Sequence, residues 1–327
     1  MFTKDNLPAS IRIFSYSILA LTLVFLINNV LTVWLDWPGI KKLFSQFGLF
    51  GFRSSGTPLA GLSIILGFIQ LSFYFMSILL VYFYVRKSIN QTLETDAEIL
   101  TKITGYIIRS SFWAVLILGI VDLIISFMVV EKLIEPILGE AVKFKLVNPS
   151  FRITFIHFPL VLISFVIGYF TRSVGFIWLA VLVVGSEFAI VLSRFIFNYE
   201  QAFQGDLVRF WYAALYLFAS AYALIHEGHV RVDVLYTGFS EKRKAWINSI
   251  GSLVLGIPLC LIIIFLGMGG KASIINGPAL SFEITQQGSN GLYLLYLMAI
   301  YLAVFAVSML IQFTSYFMSS SHKILNN

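Results

Sequence analysis

Cysteine is nearly absent from this sequence. The one thiol, Cys260, sits inside an apolar run, so an intrachain disulfide and a cysteine-based metal cluster within one chain are both excluded. Charge is scarce too: 12% of the 327 residues are Asp, Glu, Lys or Arg, against 59% hydrophobic. Soluble domains carry about 25% charged and 45–50% apolar residues. A chain this poor in charge, with a mean hydropathy of +0.90, is not a soluble globule. Its net charge of +6 does not point to nucleic acid, because the basic residues are scattered through the loops between apolar runs. There they set orientation and meet anionic lipid head groups.

Long apolar runs are what the chain has in abundance. A bilayer core about 30 Å thick takes about 20 apolar residues per helical span, whereas barrel strands leave only a weak ten-residue alternation. The runs therefore predict an all-α integral membrane protein of about eight transmembrane helices. The first ends at about Trp34, and the others fall at about 59–85, 107–130, 153–170, 174–197, 207–225, 247–268 and 291–317. The first run follows Lys4 and Arg12 and is longer than a signal-peptide core of about 7–15 residues, so it is expected to be a retained span. Two connectors, 37–52 and 130–151, mix apolar and charged residues as interfacial amphipathic helices do. Trp34 and Trp37 suit an aromatic belt. The basic cluster EKRK at 241–244 shares a loop with residues 226–236. That loop is expected on the cytoplasmic side, and both termini with it.

Two acids fall within spans, Asp122 in the third and Glu187 in the fifth. An ionisable group at the bilayer centre costs about 2.5–3.5 kcal/mol on insertion scales, so each is expected to face a partner or water. Two readings stay open, an ion or proton pathway and a polar contact between helices. Asn28 and Asn29 are expected to join helices. Pro159 and Pro258 are expected to kink theirs.

The most polar stretch is HEGHVRVDVLY, 226–236. His226 and His229 would share a helix face, but a catalytic zinc asks for three protein ligands, and HEGH is one residue short of the H-E-x-x-H spacing. Haem is excluded because His157 and His226 should lie on opposite membrane faces, about 20 Å or more apart at 1.5 Å per residue. No metal and no cofactor is expected. As a helix, the segment pairs Glu227 with Arg231 and His229 with Asp233 at i, i+4. As a strand, Val230, Val232 and Val234 alternate against His229, Arg231 and Asp233. Either way it is a polar edge on an apolar strip, suited to the membrane surface or to docking a partner.

HVRVDVLYTGFSEKRKAWINSIGSLVLGIPLCLIIIFLG, beginning at His229, resembles the stretch after the second helix of the small membrane (Q) subunits of TRAP transporters, the tripartite ATP-independent periplasmic systems. The mannitol or chloroaromatic compound types are the most similar. Upstream, SRFIFNYEQAFQGDLVRFWYAALYLFASAYAL is similar to the family's R-Y/F-x-F-N helix exit, here with Arg194, followed by an acid, Asp206, that opens the second helix. Downstream, SFEITQQGSNGLYLLYLMAIYLAVFAVSMLIQ is similar to the external loop and fourth helix. The likeness covers about 174–317. It implies no enzymatic activity and a location in the bacterial inner membrane. In such systems a periplasmic binding (P) protein captures an organic acid, a large membrane (M) subunit moves it on a sodium gradient, and the Q subunit is a fixed scaffold beside M.

The expected division is thus 174–327 as a Q-like four-helix domain and 1–173 as four additional spans of no matching family. A self-sufficient carrier or channel using Asp122 and Glu187 is the alternative. The paired broken helices of many carriers are not seen in the two halves.

Overall fold

A computed structural model of the chain describes residues 7–51, 58–171, 176–225, 236–284 and 291–326. Eight helices are long and apolar enough to cross a membrane: Leu7–Trp34, Leu62–Lys87, Leu93–Val130, Pro149–Phe170, Ile177–Phe197, Ala202–Ile225, Glu241–Gly267 and Leu295–Asn326. No strand occurs among the described residues. The protein is all-α and multi-pass, as the apolar runs require. The largest difference from the sequence reading is the start of the third span, at Leu93 and not near 107. Glu94 and Asp96 occupy its first turn, where unpaired backbone N–H groups and the helix dipole favour negative charge, so polar residues extend the helix out of the apolar run.

The connector after the first span forms a helix, Gly39–Gln46, that buries Leu43. Leu43 lies against Gly67, where a Cβ would stand 3.0 Å from its Cδ1, so the glycine eases the close seating of the short helix on the second span. In the other connector, Ile134–Leu138 buries Ile134, whereas Glu140–Val147 buries no residue.

Both prolines sit just beyond a five-residue π-helical turn. Ile153–His157 precedes Phe158 and Pro159, and Ser252–Gly256 precedes Ile257 and Pro258. The N–H of Phe158 bonds back to Ile153 O and that of Ile257 to Ser252 O, five residues away. A proline supplies no N–H of its own, and a widened turn is one way a helix absorbs that loss.

The chain forms two compact units. One comprises Met1–Leu100, Val232–Ser273 and Phe313–Asn327, the other Thr101–Arg231 and Ile274–Gln312. In the first, Arg12 is almost fully buried and pairs with the buried Asp96 at 2.5 Å. It also donates to Ser88 O at 2.7 Å, Ser88 Oγ at 2.8 Å and Gln91 Oε1 at 3.2 Å, so one guanidinium fastens the turn between the second and third spans to the first. Asn28 donates to Gln70 O at 3.3 Å and Asn29 to Met268 O at 2.5 Å, the helix-joining role expected of them. The second unit packs Val115, Leu118, Phe210, Trp211, Ala214 and Tyr301 into one core. The Trp211 indole donates to Val115 O at 3.2 Å beside Gly119, where a Cβ would meet the ring at 2.5 Å.

Candidate functional site

The second unit holds a fully buried ionic cluster built around Asp122. Its Oδ1 lies 2.5 Å from Arg152 Nη2 and 2.8 Å from His157 Nε2, and none of the three side chains reaches solvent. Its Oδ2 accepts the backbone N–H of Tyr293 at 2.8 Å. Arg152 Nη2 further donates to Asp122 O at 2.8 Å and to Ser126 Oγ at 2.9 Å, and the guanidinium stacks over the Tyr293 ring, 4.4 Å from its centre. That ring answers part of the demand left by Nε and Nη1, which have no hydrogen-bond partner among the described residues.

Local structure explains how Arg152 and His157 reach the same carboxylate. They are five residues apart, which on an α-helix of 3.6 residues per turn puts side chains about 140° apart. The π-turn between them lengthens the hydrogen-bonded loop by one residue and swings the two toward the same side. Pro159 and the ionic cluster are therefore one feature of the sequence.

His157 completes the charge balance. Asp122 and Arg152 cancel, and a carboxylate beside Nε2 makes that nitrogen the donor, leaving Nδ1 to accept from the Tyr296 hydroxyl at 3.0 Å. This tautomer keeps the cluster neutral overall, which burial away from water favours.

A second carboxylate serves the same segment. Asp206, buried at the start of the sixth span, accepts the N–H of Leu292 at 3.1 Å, with Arg209 3.7 Å from its other oxygen. The consecutive N–H groups of Leu292 and Tyr293 thus each end on a buried acid, just before the eighth span begins at Leu295. Leu292, Tyr293 and Leu294 are all buried. Tyr293 also donates through its hydroxyl to Val147 O at 3.1 Å, and its phenol pKa is raised, chiefly by burial. The arrangement clamps an inserted segment of backbone, and both Asp122 oxygens are occupied by groups of this chain.

The other sequence candidates fall elsewhere. Glu187 is exposed on the fifth span, with no ion-pair or hydrogen-bond partner among the described residues. Arg194 pairs with Glu200 at 3.4 Å, and both are exposed, an arrangement that contributes at most about 1 kcal/mol. Beside that pair, Tyr199 donates to Glu131 at 2.6 Å; burial first and Glu131 second push its phenol up to about 12, so it stays a donor at neutral pH. Glu227, His229, Arg231 and Asp233, with His226, lie outside the described residues. Among the described residues no three His, Cys, Asp or Glu side chains gather as a metal site would need. Sequence reasoning missed Arg152, Tyr293 and Tyr296. The available signal was an arginine and a histidine five apart immediately before a span's proline.

Asp206 and the 291–296 segment belong to a stretch with a recognisable relative. Residues 183–318 match the DctQ component of the tripartite ATP-independent periplasmic transporters. No curated protein and no solved structure matches the chain. The DctQ-type segment contains Glu187, Arg194, Asp206, Tyr293 and Tyr296, whereas Asp122, Arg152 and His157 precede it. Upstream residues thus fasten the entry of the DctQ-type segment's last helix.

Proposed function

We propose that the chain is the small membrane subunit of a TRAP transporter, a fixed scaffold in the bacterial inner membrane with both termini in the cytoplasm. In this reading it anchors a large M subunit and works with a periplasmic binding protein in sodium-driven uptake of an organic acid. Residues 174–327 form the Q-type unit, of the mannitol or chloroaromatic branch. Residues 1–173 are an added module that widens the scaffold's footprint in the membrane. The DctQ match over 183–318 carries this reading. The geometry of Asp122 supports it over a self-sufficient carrier, because this carboxylate is fully buried and both its oxygens already accept from groups of this chain, Arg152 and His157 on one and the Tyr293 N–H on the other.

Co-expression with an M subunit and reconstitution with its binding protein test the proposal. Purified together they are expected to transport, and this chain alone in liposomes is expected to be inert. Flux through the chain alone would establish the carrier instead.

The docking reading names two separate stretches, the polar sequence with Glu227, His229, Arg231 and Asp233, and the outer face of the fifth span. That face exposes Val184, Glu187, Phe188, Val191, Arg194 and Phe195 at helical spacing. An acid exposed in the middle of a span asks for a donor from a neighbouring helix. Glu187→Leu is expected to lower recovery of the complex with M by about 1–2 kcal/mol of association free energy. Arg231→Ala and Asp233→Ala, which would each remove one member of the charge pattern read from the sequence, are expected to cost about 1–3 kcal/mol. Co-purification of normal amounts of M with all three variants would remove both stretches from the proposal.

A further inference from the structure

We propose that the cavity at the C-terminal end of the first span is a binding site for the phosphate of a membrane phospholipid head group. The cavity, of about 460 Å³, is walled on its polar side by Asn28, Asn29, Thr32, Lys41, Lys42 and Tyr74. Trp34 and Trp37, of the residue type enriched at membrane interfaces, stand beside it in sequence.

Three features converge on an anion. Lys41 and Lys42 are exposed and form no ion pair among the described residues; the neighbouring Asp36 is already paired with Lys271. The first turn of Gly39–Gln46 lines the same cavity, and the first four N–H groups of any helix lack acceptors within it. Gln70 Oε1 takes the N–H of Gly39 at 2.9 Å, and Pro38 at the cap position offers no side-chain acceptor. The N–H groups of Ile40 and Lys41 thus supplement the two ammonium groups, with the helix dipole adding to both.

The site is also preformed. Gln70, fully buried, bonds Thr32 at 3.0 Å as well as Gly39, and Leu43 locks the short helix onto Gly67. Asn28 adds a second chemical demand. Its amide donates to Gln70 O, which fixes the orientation of the group and leaves the buried Oδ1 without a partner among the described residues. A head group carrying a hydroxyl or ammonium next to its phosphate supplies the missing donor.

A lipid suits better than a free anion because Phe25, Val33 and Met268 line the same cavity as the polar groups. Phosphatidylglycerol and phosphatidylethanolamine both present a phosphate diester, a nearby donor, and acyl chains to run along the first span.

Native mass spectrometry of the full chain, delipidated and then exposed to vesicles of each of these two lipids, tests the site. Retention of one tightly held phospholipid is expected. In the double variant Lys41→Gln, Lys42→Gln occupancy is expected to fall about tenfold or more, whereas Lys41→Arg, Lys42→Arg should keep it. Thermal unfolding checks that both variants are folded, as substitution of exposed side chains should allow. Equal retention of diacylglycerol, which lacks the phosphate, would overturn the proposal, as would undiminished phospholipid binding by the glutamine variant. Binding of inorganic phosphate with no retention of either lipid would overturn the lipid assignment.

Discussion

Arg152→Met is expected to destabilise the folded protein in detergent by about 3–5 kcal/mol, the largest effect of any single substitution in the second unit. The substituted side chain is of similar length, so the loss is not one of packing. It comes from Asp122, which would keep its burial and lose its counter-charge while still held between His157 and the Tyr293 N–H. A buried ion pair contributes little net stability when formed, because desolvating both partners offsets their attraction, yet removing one partner exposes the full desolvation cost of the other. The double variant Asp122→Asn, Arg152→Met is therefore expected to recover much of the loss, since an asparagine can remain neutral there. Thermal unfolding followed by tryptophan fluorescence would measure the cycle, with coupling well above about 0.5 kcal/mol expected for groups in direct contact. If Arg152→Met melts with the parent protein, the cluster is not the clamp described.

Arg12→Lys is the second large effect expected, and it keeps the charge. A lysine ammonium cannot reproduce the planar fork that reaches Asp96, Ser88 O, Ser88 Oγ and Gln91 together. Several acceptors, Asp96 among them at a fully buried position, would lose partners, at a cost of about 2–4 kcal/mol judged from buried hydrogen bonds to charged groups. The expected signature is local as well as global. Proteolysis between the second and third spans, around Ser88–Gln91, should accelerate in the variant before the rest of the chain unfolds. Unchanged cleavage together with an unchanged melting point would show that Arg12 serves only as a positive charge near the start of the first span.

The different fates of the sequence's charges show where sequence reasoning stopped. Asp122 and Glu187 look alike in one dimension, each a lone acid in an apolar run. Nothing local distinguishes them, because what separates them is whether another helix brings a cation to the spot. Asp122 meets Arg152, 30 residues away, and Tyr293, 171 residues away; Glu187 has no ion-pair or hydrogen-bond partner among the described residues. Arg12, in sequence only a basic residue at the start of the first apolar run, is a buried tether, again because its partners lie 76 to 84 residues on.

The sequence by itself determined the solvent, the secondary structure and the approximate number of spans, because hydrophobic length and the need to satisfy backbone hydrogen bonds in lipid are local constraints that leave only helices. It also carried the DctQ-type signature. Tertiary structure alone decided which polar residues pair, which π-turn aims Arg152 and His157 at one carboxylate, and which acid is left facing outward. Those outcomes depend on distances between helices far apart in the chain, and in a low-dielectric interior the presence or absence of a single partner sets the energy of every buried charge.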